Sequence, residues 1–144
     1  MNRMQEQVEM FHYKFGHPVG TTPGFSRPAL RSDLILEEAI ETAVATVGSE
    51  QAILQLEYKL AELRGAPPKA PDLVEAIDGK CDLLYVTFGA GVEEGVDLQL
   101  FFDEVHRTNM AKVGGATRED GKTLKPPGWK PPRIAEMLEE LRRK

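Results

Sequence analysis

The chain has 144 residues, 41% hydrophobic and 28% charged, with a formal net charge of −5 and a single cysteine, Cys81, which excludes a disulfide framework or a multi-cysteine zinc site. No apolar run reaches the ~18 residues needed to cross a bilayer, and the opening MNRMQEQVEM lacks an apolar signal core, so the expected compartment is the cytoplasm. The negative total disfavours binding of nucleic-acid polymers through a general basic surface, but the charge is uneven: residues 1–32 carry +2, residues 33–104 carry −12 and residues 105–144 carry +5.

Apolar periodicity predicts helices throughout. The first runs from about Asn2 to Phe15 on Met4, Val8, Phe11 and Phe15, and stops at Gly16. Residues 16–28 are rich in Pro and Gly and read as loop, with Ser26 placed to cap a second helix that tolerates Pro28 in its first turn and ends at Gly48. Ser49 opens a third helix, with Ile53, Leu56, Leu60 and Leu63 on one face, closed by Gly65, Pro67 and Pro68. Asp72 caps a fourth, carrying Val74, Ile77, Cys81, Leu84, Phe88 and Val92 inward; Asp97 caps a fifth that continues to about Lys112. Residues 114–133 are irregular and basic, and a last helix follows Pro132 with Ile134, Met137, Leu138 and Leu141 inward. No segment alternates as a strand would. The reading is an all-α, antiparallel helical bundle forming one domain over residues 1–144.

The second helix carries carboxylates where its pattern calls for leucines. Leu30, Leu34, Glu37, Glu41 and Val44 share one face, with Glu38 at its edge, and a second stripe of Leu36, Ile40, Ala43 and Val47 runs beside it. Buried ionised carboxylates need a positive partner. On the fourth helix Asp78 and Asp82, four residues apart, add more acid at the margin of the apolar stripe. If the two helices pack together, the carboxylates repel unless a cation lies between them. An all-oxygen ligand set suits Mg²⁺, with Mn²⁺ as the alternative. The plainer readings are that Glu37 and Glu41 pair with Lys80 or Arg31 and that the aspartates are solvated. A di-iron bundle wants repeated Glu-x-x-His, and only one comparable run, Asp103-Glu104-Val105-His106, is present. His12 and His17 are poorly placed for that task, and His106 reads as a structural residue or one that props a ligand.

The tail supplies the opposite charge. Asn109 and Lys112 are three apart near the end of the fifth helix, and the loop DGKTLKPPGWK brings Lys122 and Lys125; lysines hold phosphate as point charges, and Asn can bond a phosphate or sugar. Trp129 reads as a lid or a core anchor.

Four runs in this order, LILEEAIE, DGKCDLLYVTFGAG, FFDEVHRTNMAKV and DGKTLKPPGWKPP, resemble the MazG-like all-α NTP pyrophosphatases, particularly the small phosphoribosyl-ATP pyrophosphohydrolase-like members, from about Met10 to Pro132. The resemblance implies a bundle that binds Mg²⁺ through EE-x-x-E and a following E-x-x-D, and hydrolysis of a nucleoside triphosphate to the monophosphate and pyrophosphate. It assigns Glu37, Glu38 and Glu41 to the first motif and Asp82 to the second. Gly79 stands where the second motif has its acid, with Asp78 one residue earlier. Glu37 is then either a further ligand or the base that positions water. Asn109, Lys112, Lys122 and Lys125 resemble the phosphate-contacting positions. A pyrimidine deoxynucleotide, dUTP or dCTP, is the expected substrate, with phosphoribosyl-ATP as an alternative. A non-catalytic nucleotide-binding bundle of the same fold is a further one. The many apolar faces, with the family's habit of dimers and dimers of dimers, imply a homo-oligomer.

Overall fold

A computed structural model describes residues 2–118 and 122–143; Asp120 and Gly121 of the basic loop lie outside the described residues. The chain divides into two compact units, Gly24–Ala76 and the combination of Met1–Pro23 with Ile77–Lys144. Six α-helices make up the regular structure of the described residues, as the periodicity predicts. No helix among the described residues is long and apolar enough to cross a membrane.

In the Gly24–Ala76 unit, α2 (Pro28–Val47) packs against α3 (Ser49–Gly65), with Ala52 buried. Ser26 does not cap α2. The N-cap position is Arg27, in a left-handed conformation (φ 51°) with no side-chain cap bond. Pro28 suits the first helical position: its ring pre-sets the backbone, and it has no N–H of its own to satisfy. Gly48 alone separates the two helices, its N–H donating to the Val44 carbonyl and its own carbonyl accepting from Ala52 N–H, each at 3.0 Å.

The other unit is centred on α5 (Leu98–Met110), which packs on α1 (Arg3–Phe15) and on α6 (Ile134–Arg142). The expected cap at Asp97 forms, accepting from Gln99 N–H at 2.9 Å, and Asn2, just before α1, caps that helix by accepting from Gln5 N–H at 2.9 Å. At the start of α4 (Leu73–Glu93), Asp72 accepts from Val74 N–H at 2.7 Å. The end of α4 is closed by Val96 N–H to the Gly91 carbonyl and Gly95 N–H to the Val92 carbonyl, which turns the chain into α5. Asp103 joins α1 to α5 by accepting from Arg3 (2.7 Å), Gln7 (2.9 Å) and Gln99 (2.8 Å), and these bonds, the one from Gln7 foremost, hold its carboxyl below the ordinary range. Near the end of α1, Phe11 stacks on Phe15 and His17.

α5 stops at Met110, so Lys112 lies past the helix rather than in it. The segment that follows folds back on itself: Thr117 pairs with Thr123, and Leu124 N–H donates to the Ala116 carbonyl at 2.8 Å. Gly115 sits where any Cβ would run into the Leu124 carbonyl, so this close approach requires glycine.

The apolar stripes predicted as core are exposed in the chain. On α4, Ile77, Leu84 and Phe88 are exposed and Val92 is 80% accessible; on α2 and α3, Leu36, Ile40, Val47, Ile53 and Leu60 are exposed and Leu63 is 71% accessible. Periodicity identifies an apolar face but not what covers it.

Candidate active site

Glu37, Glu38 and Glu41 stand on α2, Glu37 half-buried and the other two exposed. Their spacing places Glu37 and Glu41 one turn apart on the same side of the helix. The premise that these carboxylates are buried is therefore not met by Glu38 and Glu41. Asp78 and Asp82 repeat the same four-residue spacing on α4, and both are exposed. Among the described residues, no group of three or more His, Cys, Asp or Glu side chains is gathered to hold a metal ion. The donor chemistry nevertheless fits Mg²⁺. The candidate ligands are all carboxylates, the hard oxygen donors that suit Mg²⁺, which usually keeps several waters and binds substrate phosphates as well.

The basic segment is positioned by a set of bonds to α5. Glu104 lies on the same stripe as Phe101 and Thr108 and is 7% exposed. Its carboxylate accepts from Arg107 Nε and Nη2, each at 2.7 Å, and from the Arg133 backbone N–H at 3.0 Å, which ties the start of α6 to α5. Those bonds, the one from Arg107 first, hold the Glu104 carboxyl at about 2, far below its ordinary 4.5. Four residues along, the Thr108 carbonyl accepts from the Trp129 indole N–H at 2.8 Å. Trp129 is thus an anchor, and it in turn supports Lys125, whose ammonium lies 4.6 Å from the ring centroid. Thr123 Oγ1 is 3.4 Å from His17 Nε2, linking the tip of the segment to the end of α1.

Of the other predicted residues, Asn109 is half-buried in the last turn of α5, and Lys112 and Lys122 are half-buried in the segment beyond it. Burial holds the His106 imidazole below its ordinary value, with Asp103 opposing and Lys14 adding to the fall. Glu104 enters the sequence argument only within the Asp103-Glu104-Val105-His106 run, and Arg107 not at all. The signal was present: an acid inside an apolar stripe, with an arginine three residues on.

Residues 8–109 match the phosphoribosyl-ATP pyrophosphohydrolase family. The chain belongs to this family. It is an enzyme of the pyrophosphohydrolase type, within the MazG-like all-α NTP pyrophosphatases. Among solved structures, it is similar to a protein from Exiguobacterium sp. 255-15 described as a candidate NTP pyrophosphohydrolase, with 29% identity and a TM-score of 0.76. That likeness covers 99% of this chain and 96% of the other, so it takes in the basic segment and α6, which lie beyond the family match. Among curated proteins, none matches this sequence.

Proposed function

We propose that this family member hydrolyses a nucleoside triphosphate, dUTP or dCTP foremost, to the monophosphate and pyrophosphate with Mg²⁺ as cofactor. The observation that carries this reading over phosphoribosyl-ATP is the end-to-end likeness to a protein described as an NTP pyrophosphohydrolase. The family match itself favours phosphoribosyl-ATP as the second reading. Glu38, Glu41, Asp82 and Asp78 would hold the metal, which when bound neutralises triphosphate charge and polarises the reacting phosphoryl group; Mn²⁺ can take its place. Glu37 either joins them or accepts a proton from the attacking water. The new P–O bond forms from that water at the α-phosphorus, and the α–β bridging oxygen leaves with its electron pair as pyrophosphate. Asn109 donates to phosphate or sugar oxygens. Lys112, Lys122 and Lys125 offset the charge that spreads over the phosphoryl oxygens in the transition state. We place this work in the cytoplasm, by one domain spanning residues 1–144.

The deciding measurement is pyrophosphate release from dUTP, dCTP, the other nucleotides and phosphoribosyl-ATP. A pyrimidine deoxynucleotide is expected to lead, and excess EDTA is expected to reduce its turnover to background. If none of these compounds gives metal-dependent release, the reading fails.

The exposed stripes of α2, α3 and α4 support a homo-oligomer, a dimer at least, in which a second copy covers them. Light scattering at micromolar concentration is expected to give a mass of at least twice 16.0 kDa, and a folded, fully active species of 16.0 kDa overturns the proposal.

A further inference from the structure

Between the end of α5 and the turn that carries Trp129 lies a cleft of about 410 Å³. Its wall includes Arg107, Val113, Pro126, Pro127, Trp129 and Lys130, and none of the acidic side chains assigned to the metal. The volume falls in the roughly 300–1,000 Å³ range of small-molecule sites.

The wall is held by bonds of its own. Pro127 and Gly128 are the central residues of a turn closed by Trp129 N–H to the Pro126 carbonyl at 3.1 Å, and Gly128 has a positive φ (78°), the value that a type II turn requires at its third position. The indole is fixed at its nitrogen by the carbonyl of Thr108, a residue only 2% exposed. Arg107 is held in plane by its forked bond to Glu104, which uses only part of its set of N–H donors, and its side chain is still 56% exposed. Lys130, also exposed, contributes to the same wall.

Two cations and no acid in the wall select an anion. An indole and two proline rings select a flat, weakly polar body. Inorganic phosphate has only the first property and a nucleoside only the second. We propose that this cleft is a binding site for a nucleoside monophosphate, with Arg107 and Lys130 on the phosphate and the base against Trp129 and the prolines. The ligand class rests on the proposed nucleotide chemistry, of which a monophosphate is a product; the binding itself is read without turnover.

Trp129 is the chain's single tryptophan, so its emission reports this cleft. The protein in EDTA is titrated with UMP and CMP, with the corresponding nucleosides, and with inorganic phosphate, correcting for nucleotide absorbance. Saturable quenching by a monophosphate is expected, with nucleoside and inorganic phosphate each weaker by about tenfold or more. Lys130→Ala is expected to weaken the monophosphate by about tenfold and to leave the nucleoside response in place. Glu41→Gln is expected to change neither. Absence of saturable quenching, or a monophosphate response undiminished in Lys130→Ala, overturns the proposal. If pyrophosphate release is present without quenching, the cleft reading alone fails. Quenching without release from any nucleotide leaves the cleft standing and removes the proposed reaction.

Discussion

Glu41→Gln is expected to lower pyrophosphate release by about a hundredfold or more at saturating Mg²⁺. Even side chains that only support a metal ligand cost 10–100-fold when changed, so loss of a ligand's charge should lie at or beyond about the upper end of that range. The amide keeps the shape of the carboxylate while removing the negative charge that a hard cation requires. Because Glu41 is exposed on α2, melting is expected to stay within the range of neutral surface substitutions. Activity and stability therefore separate at this position. Retention of full turnover by the variant would remove Glu41 from the metal site. Asp82→Asn provides the parallel test on α4.

Acid is expected to detach α6 from α5 before it melts α2 and α3. The Glu104 carboxyl sits at about 2 in the folded chain against an ordinary 4.5. In that window the unfolded state binds the proton and the folded state does not. The stabilisation from this group is thus fully present above about pH 4.5 and is lost as pH falls toward 2. The first visible event should be release of the Trp129 indole from Thr108, seen as a red shift of its emission, together with loss of amide protection at Arg133 after correction for intrinsic exchange. Glu104→Gln is expected to show that opened state already at neutral pH, with protection over residues 126–142 near that of exposed peptide. The amide has no charge to hold the Arg107 fork, and it competes with the Arg133 N–H for acceptors. An acid profile shared by the variant and the parent would show that Glu104 is not the group responsible.

The helices were legible because their signals are local. Asp72 and Asp97 each satisfy backbone donors two or three residues ahead, a geometry written in consecutive residues. Ser26 misled because proline at the next-but-one position removed one of the donors a cap serves. Faces were legible but their partners were not: Ile77, Leu84 and Phe88 share the predicted stripe of α4 and yet are exposed in the single chain. The rule that an acid on an apolar stripe demands a cation was sound, and its clearest case is Glu104 rather than Glu41. Glu104 is buried and held by Arg107 and by the backbone of Arg133, 29 residues away. Such a distant partner leaves no trace in local spacing. The proposed ligands on α2 and α4 rest on motif and donor chemistry, because assembly of a metal site depends on contacts that periodicity does not encode.

The single-residue corner at Gly48 has a consequence for how such a chain can change length over generations. Its φ of 81° with ψ of 162° lies in a region that essentially only glycine occupies, and both neighbouring helices close their hydrogen bonds through it. An inserted residue there would lengthen the corner and disturb the two bonds that close the helices through Gly48, its N–H to the Val44 carbonyl and its carbonyl from Ala52 N–H. Length variation is therefore disfavoured at this corner, whereas residues 66–72, between α3 and α4, belong to no helix. Relatives of this chain should differ in length there while keeping glycine, and no extra residue, between the two helices.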